Sequence, residues 1–222
     1  MNLPFSPAVG IELLRSMKYV AGAFGPQLSL PVGSPVTAIL RPVATRREYL
    51  NKADIELLSK WRNRFVKAFL NEFVSTEPQT AEWLVNTVGL SDTKILFMLE
   101  DLGKRVFGYM GIAFINWETS YGEADAIVRG ADAPKGIMTA SLKTLISWAR
   151  GQLGLKEIGV RVRSDNTALE FYRKVGFIEE KRIPLKCTRE HSKIIWEEDL
   201  SSAASHSSIF LVYMKFPCIQ DL

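Results

Sequence analysis

The chain has 222 residues, the size of one domain with extensions, and its 47% hydrophobic and 23% charged residues are typical of a globular protein. This excludes a chain that is disordered throughout, and the longest apolar run, about Val106 to Ile115, is half of the roughly 20 residues that span a membrane. The net charge of +4 is spread along the chain, so it suits an anionic ligand as well as nucleic acid and selects neither.

The first 35 residues are interpreted as an N-terminal extension (1–35) of a domain that covers residues 36–222. The spacing of apolar residues predicts a short helix over Ile11 to Phe24, and the prolines from Pro26 to Pro35 predict an irregular linker. Packing, dimerisation and covering of a substrate site are all open roles for this segment.

The rest of the chain predicts a mixed α/β order of elements. Strands are expected over Val36 to Pro42, Ile95 to Leu99, Val106 to Ile115, Glu123 to Arg129, Ile158 to Val162, Phe177 to Ile183 and Ile209 to Lys215. Helices are expected from Asp54 to Trp61, from Thr80 onward, over Met138 to Leu153, and from Asp165 to Lys174, with Asp54, Thr80 and Asp165 as N-caps. A long polar excursion, Pro184 to Ser208, separates the last two strands.

The loop from Gly130 to Gly136 joins a predicted strand to the clearest predicted helix. Backbone N–H groups at a helix N-terminus bind phosphates, the glycines permit close approach, and Lys135 adds positive charge. A plain connection between strand and helix explains the same residues.

Cysteines and histidines give no sign of a metal site. Cys187 and Cys218 lack metal-type spacing, and His191 and His206 are too few for a histidine-based zinc site. Two reduced thiols and the lack of a recognisable signal peptide predict a cytoplasmic protein.

The stretch from Asp165 to Phe177 reads DNTALEFYRKVGF. It resembles the signature of the GNAT superfamily of N-acetyltransferases, Asn-x-x-Ala-x-x-Phe-Tyr-x-Lys-x-Gly-Phe, which follows a strand. The matched positions are Ala168, Phe171, Tyr172, Lys174, Gly176 and Phe177, whereas the family's Asn falls on Asp165, with Asn166 one residue late. The resemblance covers about Val36 to Phe216. It implies the GNAT fold, a mixed and mostly antiparallel central sheet flanked by helices, here with a long insertion before the last strand.

The same resemblance implies acyl transfer from acetyl-CoA or another acyl-CoA to an amine. The family's phosphate loop, Gln/Arg-x-x-Gly-x-Gly/Ala, is matched only at Gly136, and Pro134 removes one N–H donor. The residues implied to contact the coenzyme are Ile127, Val128, Arg129, Lys135, Gly136, Ile137, Met138, Thr139, Asn166, Phe171 and Lys174. Asp165 and Asn166 either contact the pantetheine arm or cap the following helix.

Three side chains are candidates for the chemistry. Tyr172 stands at the family's usual acid position, where a phenol can protonate the leaving thiolate, and a packing role is the alternative. A backbone N–H near Ile127 is implied to stabilise the oxyanion. Glu123 and Asp125 share one strand face, and either can act as base, bind the amine or lie in solvent; Glu123 is preferred because it reaches farther.

The acceptor side is expected to contain Trp61, Arg62, Asn63 and Phe73. A Trp-Arg-Asn turn after the first helix resembles a GNAT branch that includes acyltransferases of nucleotide-linked amino sugars and ribosomal-protein N-terminal acetyltransferases. A basic turn beside aromatics suits a nucleotide diphosphate, and a helix end docked on the core is the alternative. The insertion can grip the acceptor or form a dimer.

The resulting hypothesis is an N-acyltransferase for a small amine acceptor, with a nucleotide-linked amino sugar preferred and a possible homodimer. A ribosomal-type protein N-terminal acetyltransferase and a non-catalytic acyl-CoA-binding module are the alternatives. No nucleic-acid partner is expected because no basic block or base-stacking motif occurs, and no membrane partner is expected either.

Overall fold

The computed structural model describes residues 6–23, 28–201 and 207–217. The helices are α1 (Pro7–Val20), α2 (Lys52–Arg64), α3 (Glu77–Trp83), α4 (Ile137–Leu153) and α5 (Ala168–Val175). The strands are β1 (Leu30–Val32), β2 (Ala38–Pro42), β3 (Asn71–Glu72), β4 (Ile95–Asp101), β5 (Val106–Asn116), β6 (Tyr121–Arg129), β7 (Glu157–Arg163), β8 (Ile178–Glu190), β9 (Lys193–Glu198) and β10 (Phe210–Phe216). They form a sheet in the order β1-β2-β4-β5-β6-β7-β10-β8-β9-β3. The predicted mixed α/β class with a mostly antiparallel sheet is confirmed.

Strands β6 and β7 are the parallel pair of this sheet, and they separate part-way along their length. Their pairing ends where Glu123 lies opposite Gly159, although β6 continues to Arg129 and β7 to Arg163. Helix α4 connects them, as a crossover between parallel strands requires. The separation opens a cleft in the middle of the sheet.

A bulge distorts β6 beside this cleft. Tyr109 faces Val128 and Gly111 faces Asp125, so two residues of β6 oppose one of β5. The first of the two, Ala126, has φ of 53° in the left-handed region. A bulge of this kind interrupts the ladder and re-aims the backbone, as often occurs next to active sites.

The N-terminal residues are packed into the domain. Leu14 and Met17 of α1 are buried in the main core, and β1 pairs with β2. Lys18 is also buried and donates hydrogen bonds to the carbonyl oxygens of Val88 and Ser91. Of the roles left open for this segment, these contacts support packing. The end of the predicted helix at Phe24 lies outside the described residues, as do His206 and Cys218.

Two helices begin at other residues than predicted because a neighbouring side chain makes the capping bond. Helix α2 is capped by Asn51, which accepts from backbone N–H groups, and Asp54 instead pairs with Arg41 at 2.9 Å. Helix α3 is capped by Thr76 in a reciprocal capping box, which places Thr80 inside the helix.

The long excursion before the last strand is a β-hairpin. Strand β8 continues through the predicted loop to Glu190, and β9 returns antiparallel to it. Strand β9 then pairs with β3, with Asn71 opposite Ile195 and Glu72 opposite Ile194. The insertion therefore reaches back to the connection between α2 and α3.

Candidate active site

A cavity of about 1340 Å³ lies where β6 and β7 separate. It is lined by both strands, the end of α2 with the connection that follows it, the loop before α4, and α5. Most of the predicted site residues line it, namely Arg62, Phe73, Glu123, Asp125, Ile127, Val128, Arg129, Lys135, Gly136, Met138, Thr139, Asn166, Phe171, Tyr172 and Lys174. Trp61, Asn63 and Ile137 are not among the lining residues.

The start of α4 has the features of an anion site. Its N-cap, Gly136, has φ of 86° and no capping side chain, and the first turn contains no acidic residue. The N–H groups of Met138 and Thr139 have no backbone acceptor among the described residues. No atom lies within 4 Å of where a Gly136 Cβ would stand. Free N–H groups, the helix dipole and Lys135 together suit a phosphate.

Gly130, at the other end of this loop, is required for packing. A Cβ there would lie 1.9 Å from the Trp61 ring. Trp61 is only 4% exposed and stacks on Tyr109 with ring centroids 6.3 Å apart. Trp61 therefore packs in the core, and we do not propose that it contacts the substrate.

Asn63 also holds structure together. Its amide donates to the Ser75 carbonyl and accepts from the Ser75 N–H, both at 2.8 Å. These two bonds fix the end of the connection between α2 and α3. Ile137, which was predicted to contact the coenzyme, is buried in the core.

The Arg62 guanidinium shapes the acceptor side. It donates to the carbonyl oxygens of Phe73 and Asn71 at 2.8 and 2.9 Å, and lies 3.8 Å from the centre of the Phe73 ring and 4.9 Å from that of Phe69. Burial lowers the pKa of Arg62. Because its hydrogen bonds hold residues 71–73, Arg62 positions the cavity wall.

Two buried phenols face the cavity around one carboxylate. Burial, and then the charge of Asp125, raise the pKa of Tyr172 well above the usual value of about 10. Burial and Asp125 also raise the pKa of Tyr109, against the opposing effect of Arg62. Tyr172 therefore stays protonated at neutral pH, as a proton donor must. Tyr109 was not predicted as a site residue, because it lies in an apolar strand with no motif around it.

The two carboxylates of β6 differ in what they can reach. Glu123 accepts from Tyr121 Oη at 3.0 Å and from Arg161 Nε at 2.8 Å, so both oxygens are occupied, and its side chain is 9% exposed. Asp125 is 32% exposed and makes one ion pair, with Lys94 Nζ at 3.2 Å. The geometry favours Asp125 over Glu123 as the group that reaches an acceptor amine.

The beginning of α5 resolves what Asp165 and Asn166 contact in the structure. Asn166 accepts from the N–H of Ala168, the first residue of α5, at 2.9 Å and donates to the Ala68 carbonyl at 3.2 Å, so it joins the start of α5 to the acceptor-side connection. Asp165 pairs with Arg163 at 2.7 Å and makes no cap, so the predicted helix start was two residues too early.

A cluster around Arg163 ties the inserted hairpin to the cavity wall. Arg163 Nη1 lies 2.6 Å from Glu72, which also accepts from Trp196 Nε1 at 2.7 Å. The Arg163 guanidinium stands 4.2 Å from the Trp196 ring centroid. The hairpin of the same chain thus fixes β3 beside the cavity.

The charge that lines the cavity is predominantly positive. The basic lining residues are Arg62, Arg64, Arg129, Lys135, Arg161, Arg163 and Lys174, and the acidic ones are Glu123, Asp125 and Asp132. Glu123 and Asp125 are each paired with a cation. The cavity therefore suits anionic ligands.

The sequence profile of the Acetyltransferase (GNAT) domain matches residues 39–178, more than half of the chain. The chain belongs to the GNAT acetyltransferase family. Acetyl-CoA is the co-substrate of this family, as the sequence predicted. No curated protein sequence matches the chain significantly.

Solved structures share the fold. Spermidine N-acetyltransferase from Vibrio cholerae in complex with CoA and spermine aligns with a TM-score of 0.61 at 17% identity, over 81% of this chain and 96% of that one. A probable GNAT-family acetyltransferase from Chromobacterium violaceum aligns with 0.61 at 14% identity, over 86% and 87%. The dodecameric V. cholerae spermidine N-acetyltransferase gives 0.57 at 18% identity, over 81% and 92%. The predicted GNAT fold is confirmed.

Two kinds of feature are absent from residues 6–23, 28–201 and 207–217. None of the helices there has the length and apolar character to cross a bilayer. Within the same ranges, no group of three or more His, Cys, Asp or Glu side chains is arranged to hold a metal ion.

Proposed function

We propose that this GNAT protein transfers an acetyl group from acetyl-CoA to the primary amine of a small anionic acceptor, with a nucleotide-linked amino sugar as the preferred class. The observation that carries the proposal is the cavity at the separation of β6 and β7. It brings a helix N-terminus suited to phosphate, a protonated phenol at Tyr172 and the carboxylate of Asp125 to one place.

In this proposal the thioester lies between β6 and β7. The neutral amine attacks the carbonyl carbon, and a backbone N–H at the bulge of Ala126 and Ile127 stabilises the oxyanion. The C–S bond then breaks, and Tyr172 gives its proton to the leaving thiolate. Asp125, directly or through water, accepts the proton that the amine loses. The coenzyme diphosphate lies against Lys135 and the first turn of α4.

The charge of the cavity supports an anionic acceptor. The diphosphate of a nucleotide-linked sugar can pair with basic lining residues such as Arg64, Arg129 or Lys174, and its base can stack on Phe73. Arg62 enters the proposal as a residue that holds the wall, because Nη1 and Nη2 each donate to a backbone carbonyl there. A polyamine, as in the V. cholerae complex, would meet carboxylates that are already paired.

Thiol release tests the proposal. Acetyl-CoA is incubated with nucleotide-linked amino sugars, spermidine and peptides with free N-termini in separate reactions. We expect the highest kcat/KM with the amino sugars and acetylation at the sugar amine by mass spectrometry. Preference for peptides would replace the acceptor class with the N-terminal acetyltransferase alternative. Tight acetyl-CoA binding without release for any amine would make the protein a non-catalytic binding module.

A further inference from the structure

Each carboxylate on the acceptor face of β6 is paired with a cation from another segment. Arg161 of β7 pairs with Glu123 at 2.8 Å, and Lys94, just before β4, pairs with Asp125 at 3.2 Å. The two cations are similarly exposed, at 25% for Arg161 and 22% for Lys94. The carboxylates differ, because Glu123 is 9% exposed and also accepts from the Tyr121 hydroxyl, whereas Asp125 is 32% exposed.

Both cations contact the same aromatic ring at the cavity. The Arg161 guanidinium lies 4.5 Å and the Lys94 ammonium 5.7 Å from the centroid of the Phe114 ring, and Lys94 also lies 5.9 Å from the Trp83 ring. Phe114, Trp83 and Asp125 line the cavity, whereas Lys94 is not among its lining residues and acts on it through Asp125. The ammonium of Lys94 thus has a carboxylate and two aromatic rings as neighbours, the surroundings that would otherwise attract an alkylammonium ligand.

Phe114 is held in this place by an unusual backbone. Its φ is 52°, in the left-handed region, within an irregular part of the pairing between β5 and β6, and its ring is 54% exposed. A bulky residue with positive φ is a strained outlier, and such strain concentrates at functional sites. This backbone holds the exposed Phe114 side chain at the cavity.

We infer that Lys94 is a specificity-determining residue that excludes polycationic acceptors. Its ammonium pairs with Asp125 beside Trp83 and Phe114, so the carboxylate charge that would attract the further ammonium groups of a polycation is already neutralised. The acceptor amine must therefore arrive on a molecule whose remaining charge is neutral or negative. This inference rests on the proposed transferase function and assigns the selection against polyamines to one side chain.

The test is the selectivity of Lys94→Met, which keeps the length of the side chain and removes its charge. The matched control is Lys94→Arg, which keeps the charge. The kcat/KM is measured for spermidine, for an uncharged amino sugar and for a nucleotide-linked amino sugar. One unit charge within about 5 Å changes affinity at least tenfold at the effective dielectric of a partly buried site.

We expect Lys94→Met to raise kcat/KM for spermidine at least tenfold relative to the uncharged amino sugar, whereas Lys94→Arg keeps the wild-type ratio. The gain should shrink at 0.5 M salt, because salt screens charges that are partly exposed. If Lys94→Met is poorly folded by circular dichroism, Lys94→Gln serves the same comparison.

Two results would overturn the inference while leaving the transferase function intact. One is an unchanged acceptor ratio in folded Lys94→Met or Lys94→Gln. The other is a wild-type enzyme that acetylates spermidine as efficiently as the nucleotide-linked sugar. Absence of thiol release by wild type with every amine is a different failure, since it contradicts the proposed function itself.

Discussion

Glu123 and Gly159 are the last residues at which β6 and β7 run side by side, and beyond them the two strands separate around the cavity. The coenzyme arm in our proposal lies in this gap, so its polar end must reach the start of α4, whose first residue follows Gly136. The separation therefore links the phosphate-binding loop, the bulge of β6 and Tyr172 in a single site.

The first prediction concerns the phosphate-binding loop. Gly136→Asp places a carboxylate at the N-terminus of α4. In our proposal the phosphates of acyl-CoA bind there, so the carboxylate would compete with them and repel them. Charge effects at a helix end reach about 1–2 kcal/mol, so acetyl-CoA affinity should fall roughly tenfold or more. Isothermal titration calorimetry measures the Kd of acetyl-CoA for wild type and the variant.

Gly136→Ala separates charge from backbone strain, because any side chain at φ of 86° is strained. We expect Ala to weaken acetyl-CoA binding less than Asp does. Equal affinities for wild type and Gly136→Asp would place the diphosphate elsewhere.

The second prediction concerns proton donation to the thiolate. Tyr172→Phe keeps the ring, which packs edge-on against Phe177 at 5.7 Å, and deletes the hydroxyl. Loss of a general acid lowers turnover by about 10²–10⁴-fold, so kcat should fall in that range while the Kd of acetyl-CoA stays constant. Tyr19→Phe, an exposed phenol on α1, is the control. A kcat within twofold of wild type would make Tyr172 a packing residue.

Local patterns and long-range partners explain which parts of the site could be predicted from the sequence. The motif around Tyr172 and the loop ending at Gly136 are contiguous, so their positions at the cavity follow from a strand, a loop and a helix in series. The preference for Glu123 over Asp125 stays a prediction, although the geometry favours Asp125. That choice depends on Arg161 of β7 and on Lys94, which precedes β4, and neither partner can be assigned from spacing.

The structure of the inserted hairpin also depends on partners that are distant in the sequence. Its composition predicts a long polar excursion without assigned strands, but β9 pairs with β3, and Trp196 donates a hydrogen bond to Glu72, 124 residues earlier. Gly130 likewise fits a ligand-binding loop by sequence, whereas its actual constraint is the Trp61 ring. Contacts between distant segments carry no local signal.

The third prediction concerns the buried amine of Lys18. Burial lowers its pKa in the folded protein to about 8, below the value of about 10.4 for an unfolded lysine. Between these values the unfolded chain holds more protons, so the contribution of Lys18 to stability is smallest below pH 8 and rises as pH increases toward 10.

Urea unfolding of wild type and Lys18→Met at pH 7 and pH 9.5 measures this effect. Wild type should gain on the order of 1 kcal/mol over the variant between the two pH values. Lys52→Met, on the exposed first turn of α2, is the control for loss of a lysine. A stability difference between wild type and Lys18→Met that is the same at both pH values would contradict the prediction.

The last prediction separates the structural role of Arg62 from binding of a nucleotide. Arg62→Ala leaves the Phe73 and Asn71 carbonyls without their donor and removes the stack on the Phe73 ring. One of these hydrogen bonds is partly buried and the other is exposed, so their loss should lower the free energy of unfolding by about 0.5–1.5 kcal/mol. A nucleoside diphosphate such as UDP or dTDP should inhibit the wild-type enzyme competitively against the acceptor, because it carries the base and the anionic group. The variant should lose stability and acceptor affinity together, and Arg62→Lys, which keeps the charge but not the forked geometry, should be intermediate in both.

A variant of normal stability that resists inhibition would instead assign the diphosphate directly to Arg62. Lack of inhibition of wild type at millimolar concentration, together with acetylation of peptide N-termini, would contradict the amino-sugar acceptor.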